Sequence, residues 1–116
     1  MNKKLETMVE VLEGLKGEEV LILDFDGKSS LCDYTLICTA RSDRNAKAMA
    51  DELHRVLKEE NIDRIGIEGY DDGNWILVDY DNILVHILLK DVREYYKLEE
   101  LWSYTKEKYK GNKWIY

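Results

Sequence analysis

A few residues in this 116-residue chain are of types that do chemistry. Asp24 and Asp26 close the apolar run Leu21-Ile22-Leu23-Asp24-Phe25-Asp26-Gly27. Two acids at a strand end can serve as nucleophile and acid/base beside magnesium, the arrangement of a phosphatase. They can equally end a strand and open a loop by bonding their own backbone. No later strand ends in a matching acidic pair, so the phosphatase set is incomplete. Asp24, Asp26 and Asp79 together would hold magnesium on a triphosphate for nucleotidyl transfer. That chemistry wants a glycine-rich loop before a helix to cradle phosphate, and Gly27 stands alone. His86 lies on a strand, with no cysteine or second histidine near it to make a zinc site. Asp79 is in diagonal reach of it, but that face offers no serine, threonine or cysteine to activate. A hydrogen-bonded interfacial histidine is the reading that remains. No cofactor or metal is expected.

Composition narrows the partners. The chain carries 24 acidic and 17 basic side chains, a net charge of −7. Such a chain is a poor stand-alone binder of nucleic acid, whose affinity comes from neutralised phosphates. It suits a basic protein, because opposite fields speed encounter. Only the tail turns basic: Lys106, Lys108, Lys110 and Lys113, interleaved with Tyr109, Trp114 and Tyr116. That tail either stacks bases and contacts phosphates, or is a helix end whose lysines complement the dipole before a frayed terminus. Cys32 and Cys38, read as one strand run, stand roughly 20 Å apart at the strand rise and do not bridge. They read as buried free thiols in a reducing compartment. The N-terminus is amphipathic and lacks a signal-peptide core, and no apolar run reaches the ~20 residues a bilayer needs, so a cytoplasmic protein without membrane contact is expected.

The elements that position these residues follow from periodicity. Leu5, Met8, Val9, Leu12 and Leu15 predict a helix over 2–16, closed at Gly17. Residues 20–25 and 34–39 read as strands, the first apolar enough to be central. Ser42 caps a helix over 43–60 with Ala46, Met49, Ala50, Leu53, Val56 and Leu57 inward. That helix has the length of a parallel crossover to a short strand at 65–67. Asp81-Asn82 turns a hairpin in which Val78 faces Val85 and Ile76 faces Ile87. One hairpin face is then Ile76, Val78, Tyr80, Ile83, Val85 and Ile87, a core face. The other is Trp75, Leu77, Asp79, Leu84, His86 and Leu88, too apolar for water, and must be covered by a helix or a partner. A last helical region after Lys90 has Leu98, Leu101, Trp102 and Thr105 as its buried stripe. The expectation is one domain over 1–116, an α/β (α+β layered) fold in the order αββαβββα, with a mixed sheet of about five strands flanked by helices.

The stretch from Ile67 to Trp102 also carries a signature: Glu68-Gly69, Trp75 with Asp79-Tyr80, Val85-His86-Ile87, then Arg93 with Tyr96, Leu98, Glu99, Leu101 and Trp102. Upstream stand Asp33-Tyr34, Thr39, Ser42 and Arg44. In this order they closely resemble the Iojap-like ribosomal silencing factors, over about residues 5–105. The chain departs from the family pattern at Ala40, Asn45 and Leu88, leaving the 40–45 segment without a defined role.

The resemblance implies a nucleotidyltransferase-like fold without enzymatic activity. It implies a repressor of translation that binds the large ribosomal subunit at its fourteenth protein, on the intersubunit face, and sterically blocks subunit joining. The Lys-rich tail would add a minor ribosomal RNA contact, and the free factor would form a homodimer. The matched residues expected at the partner are Trp75, Asp79, Tyr80, His86, Arg93, Tyr96, Leu98 and Trp102. Of these, Tyr80 and Trp102 are expected to be partly core. Trp75, His86, Arg93 and Tyr96 are expected in direct contact, with Asp79 orienting His86 across the hairpin diagonal. Two surfaces compete for the role: the Trp75/His86 hairpin face and the helix edge around Arg93, Tyr96 and Trp102.

Overall fold

The amphipathic N-terminal segment forms α1 (Lys3–Gly14), started by Asn2, whose side chain accepts from the Leu5 amide at 3.2 Å. A computed structural model, describing residues 2–116, continues with β1 (Glu18–Asp24), β2 (Tyr34–Ala40), α2 (Asp43–Glu59), β3 (Gly66–Glu68), β4 (Trp75–Asp79) and β5 (Ile83–Leu89). Then come two short helices, α3 (Lys90–Tyr96) and α4 (Leu98–Leu101), and two strands, β6 (Lys106–Lys110) and β7 (Lys113–Trp114). All seven strands join one sheet in the order β3-β4-β5-β2-β1-β6-β7. The fold is a mixed α/β sheet flanked by helices, as expected, but with seven strands rather than about five.

The two extra strands are the basic tail. Gly111 and Asn112 both have positive φ, as a two-residue type I′ turn requires, and β6 pairs antiparallel with β1. The tail is therefore neither a helix end nor a frayed terminus. Tyr109 is buried, its hydroxyl donates to Glu13 at 2.7 Å, and Trp114 packs edge-on against it. Of the tail's three rings Tyr109 is buried, Trp114 half-buried and Tyr116 exposed.

The crossover helix joins β2 to a short strand running parallel to it, as expected, but the two strands are not neighbours. The parallel neighbour of β2 is β5, not β3. α2 instead crosses over β5 and β4 to reach β3 at the sheet edge. Its start explains the 40–45 segment. Ser42 Oγ accepts from the Asn45 amide at 3.0 Å, and Asn45 Oδ1 accepts from the Arg41 amide at 3.0 Å. That is a reciprocal cap close to a capping box. Asn45 Nδ2 also donates to the Leu15 carbonyl, which ties the start of α2 to the end of α1.

The main core lies between α1, α2 and one sheet face. Leu5, Met8, Leu12, Met49, Leu53 and Leu57 meet Ile22, Leu36, Ile76, Val78, Val85 and Ile87, all essentially inaccessible. The hairpin core face is thus as expected, and the β4–β5 register pairs Val78 with Val85 and Ile76 with Ile87. Its turn is fixed by Asp81, with φ 71°, whose amide donates to Asp79 Oδ1 at 2.8 Å. Cys38 belongs to this core, and burial pushes its thiol up to about 12. Cys32 lies in the loop ahead of β2 rather than on the strand, and both thiols are free. Among the described residues no helix is long and apolar enough to cross a membrane.

Candidate functional site

The other face of the sheet is covered only in part, by α3 and α4. A small core of Leu21, Leu23, Ile37, Leu88 and Leu98 forms there, with Trp75, Val92 and Trp102 half-buried at its margin. The predicted single helix after Lys90 is broken because Lys97 takes a left-handed conformation, φ 49°. That break turns the chain, and the expected buried stripe does not form. Leu98 points into the small core, whereas Leu101 is 64 % exposed.

What results is a chain of aromatic rings across the sheet face. Tyr95 packs on Tyr96 (5.0 Å between centroids), Tyr96 on Trp75 (5.0 Å) and Trp75 on His86 (6.0 Å). His86 meets Trp102 at 5.7 Å, Trp102 meets Phe25 edge-on at 6.0 Å, and Phe25 meets Tyr104 at 6.1 Å. Such tilted and edge contacts suit the ring quadrupoles. The face is apolar yet open: Tyr95 is 79 % exposed, Tyr96 53 %, and Tyr104 is exposed as well. The Trp75/His86 hairpin face and the edge around Tyr96 and Trp102 are therefore one surface, not two alternatives.

Each predicted residue has a definite place. Trp75, Tyr96 and Trp102 line the open face. Gly69 sets the approach to Trp75: its φ is +77°, and a Cβ there would sit 2.0 Å from the Trp75 carbonyl oxygen. Tyr80 is 1 % exposed on the opposite face, wholly core, and burial pushes its phenol up to about 12. Leu98 is buried inside the molecule. Arg93, expected to be a direct contact, is only 8 % exposed. Its Nη1 donates to the Glu19 carbonyl at 2.7 Å and to Thr39 Oγ1 at 3.0 Å, and its Nε to Glu99 at 3.2 Å. A bulge in β1 leaves Glu19 with φ 49°, and Arg93 satisfies the carbonyl this turns out of the ladder.

His86 is also deeper than expected, 6 % exposed, and desolvation pulls its imidazole down to about 4, so it is neutral at pH 7. Asp79 does not orient it. The diagonal partner is Trp75, whose indole Nε1–H donates to His86 Nδ1 at 3.1 Å, while Asp79 Oδ1 accepts from the turn. Asp24 and Asp26 have local roles too: Asp24 Oδ1 accepts from the Asp26 amide at 2.8 Å, and Asp26 pairs with Lys106 at 3.1 Å. Among the described residues no three His, Cys, Asp or Glu side chains are grouped to hold a metal ion.

Sequence reasoning missed Phe25, Tyr95 and Tyr104 as parts of this face, and the exposure of Leu101. For Tyr95 a signal was present, because adjacent Tyr95 and Tyr96 cannot both turn inward on a helix lying over a sheet. For Leu101 there was none, since nothing marks Lys97 as a left-handed residue.

Comparison with known proteins places this geometry. The family described as "Ribosomal silencing factor during starvation" matches residues 1–114, a longer span than the signature itself. The ribosomal silencing factor RsfS of Haemophilus influenzae is 42 % identical over 99 residues, 85 % of this chain and 97 % of that one. A crystal structure of a Chromobacterium violaceum protein superposes with a TM-score of 0.84 at 36 % identity, covering 89 % of this chain and 88 % of the other. A mouse relative named for mitochondrial assembly of the ribosomal large subunit is 26 % identical over 102 residues, which span 85 % of this chain and 45 % of the mouse protein. With an open aromatic face on a mixed sheet and a match along nearly its whole length, the chain belongs to the ribosomal silencing factor family.

Proposed function

We propose that this chain is a cytoplasmic, single-domain, non-enzymatic repressor of translation. It binds the large ribosomal subunit at its fourteenth protein on the intersubunit face and blocks subunit joining by occupying space. The observation that carries the reading is the aromatic face: a run of rings from Tyr95 to Tyr104, buried at His86 and Phe25, half-buried at Trp75 and Trp102, and exposed at Tyr95, Tyr96 and Tyr104. Exposed contiguous apolar surface of this kind marks a protein interface, and its aromatic composition is that of an interface core. Family membership names the ribosome as the partner class, and the net charge of −7 favours a basic ribosomal protein over naked RNA. The tail lysines supply at most a minor RNA contact. When free, a second copy covers the same face.

The test is subunit association. Excess protein added to separated subunits is expected to keep them apart when magnesium is raised, with the protein sedimenting alongside the large subunit. Normal joining at saturating protein would refute the proposal.

A further inference from the structure

His86 lies in the middle of the ring chain, and of the buried polar side chains on that face (Thr35, Thr39, His86 and Arg93) it is the one with a buried atom left unpaired among the described residues. The indole N–H of Trp75 is a donor only, so His86 Nδ1, 3.1 Å away, must accept and carry no proton. Neutral imidazole has one N–H, and here it is on Nε2. Burial holds the ring neutral, which keeps that tautomer across the physiological range. The Nε2 atom is shielded from solvent and has no hydrogen-bond partner among the described residues. A fixed, unanswered donor beneath an open apolar face is costly in the free protein and is answered by whatever lies on that face.

We propose that His86, locked as its Nε2–H tautomer by Trp75, is a specificity-determining donor that a main-chain carbonyl of the large-subunit protein partner accepts when the half-exposed Trp102 shifts aside. Trp102 is placed to shift. It follows α4, a helix of only four residues entered through the left-handed Lys97, and its ring meets His86 at 5.7 Å. A carbonyl is the acceptor favoured, because the acidic chain draws a basic partner, whose surface is poor in carboxylates. An apolar partner surface without an acceptor at this point leaves the donor unpaired and is rejected, which is how a hydrogen-bonding site discriminates. The proposal rests on the large-subunit reading above.

Two measurements test it separately from that reading. Imidazole ¹⁵N NMR of the full chain is expected to show His86 protonated at Nε2 and bare at Nδ1; the opposite tautomer, or an average of the two, overturns the lock. Titration of purified large subunits then compares two variants, each below its melting temperature. His86→Asn places an amide oxygen near Nδ1, keeping the Trp75 bond and losing the donor. His86→Gln places an amide nitrogen near Nε2, keeping the donor and losing the Trp75 acceptor.

His86→Asn is expected to weaken binding about tenfold and His86→Gln by no more than about threefold. Wild-type affinity in His86→Asn, or equal loss in both variants, overturns the donor role. If deproteinised large-subunit RNA shows the same wild-type-to-Asn difference, the acceptor is RNA and the carbonyl assignment fails. If the wild type binds no large subunit, the functional reading fails and the partner with it, while the NMR result still decides the tautomer.

Discussion

The two faces of the sheet solve the same problem in opposite ways. On one, β-branched and leucine side chains from β1, β2, β4 and β5 interdigitate with α1 and α2 until almost nothing is left accessible. On the other, α3 and α4 are too short to cover the strands, and large rings with polar handles fill the margin without sealing it. Aliphatic side chains gain free energy only by leaving water, so the first face has to be complete within the chain. Trp, Tyr and His tolerate a half-wet position because each has a group that hydrogen-bonds. The second face can therefore wait for a partner, its cost to the free protein concentrated in the unanswered His86 donor. Stability belongs to one face and, in the proposed function, recognition to the other, with Arg93 holding the boundary.

The division can be broken most severely from the covered side. Leu53→Ala removes a fully buried leucine at the α2–sheet contact and is expected to cost about 4 kcal/mol in urea unfolding. Large-subunit affinity per folded molecule should be unchanged. Lost affinity in a still-folded Leu53→Ala protein would mean that the two faces are coupled.

Acid probes the second face. The folded-state pKa of His86 is depressed to about 4 from 6.5, so above pH 6.5 neither folded nor unfolded chain is charged there and the site is neutral to stability. As pH falls from 6.5 to 4 the unfolded chain takes a proton that the folded one refuses, and about 3 kcal/mol is lost, most of it present by pH 4. His86→Asn should lack this component. Parallel stability-versus-pH curves for the two proteins would remove His86 from the account.

Arg93→Ala sharpens the boundary. It leaves the Glu19 carbonyl and Thr39 hydroxyl unanswered beneath α3 and should cost about 2 kcal/mol of stability. Binding should fall only as folded protein is lost. A normal melt with lost binding would return Arg93 to the contact surface.

The smallest effect is expected at Tyr96, half-exposed on Trp75. Tyr96→Ala should leave the melting temperature within a few degrees and reduce large-subunit affinity on the order of tenfold, about 1.5 kcal/mol. Unchanged affinity would show that the partner sits toward Trp102 and Tyr104 instead.

Much of this was written locally. Period-two alternation alone separates the two hairpin faces, because successive strand side chains cannot share a face. Helical spacing marks the inner side of α2, and Ser42 marks its start, since both depend on residues three or four apart. The order of the Trp75–Trp102 signature was enough to name the family. The tail hairpin was legible too, in Gly111-Asn112 between KYK and KW, but the lysines drew attention to charge rather than to the turn.

Other features depended on residues far apart in the chain. Arg93 is buried because a bulge 74 positions away presents it with a carbonyl. His86 pairs with Trp75 rather than Asp79 because both diagonals are open to it, and Asp79 is already committed to its own turn. The break at Lys97, which no glycine announces, folds Trp102 back over His86 and joins two apparent surfaces into one. Sequence determined which side chains face each way along each element, since that is set by backbone period. Which of them meet, and which polar group is left without a partner, was decided by long-range packing, where competing contacts of similar energy are resolved only when the whole sheet closes.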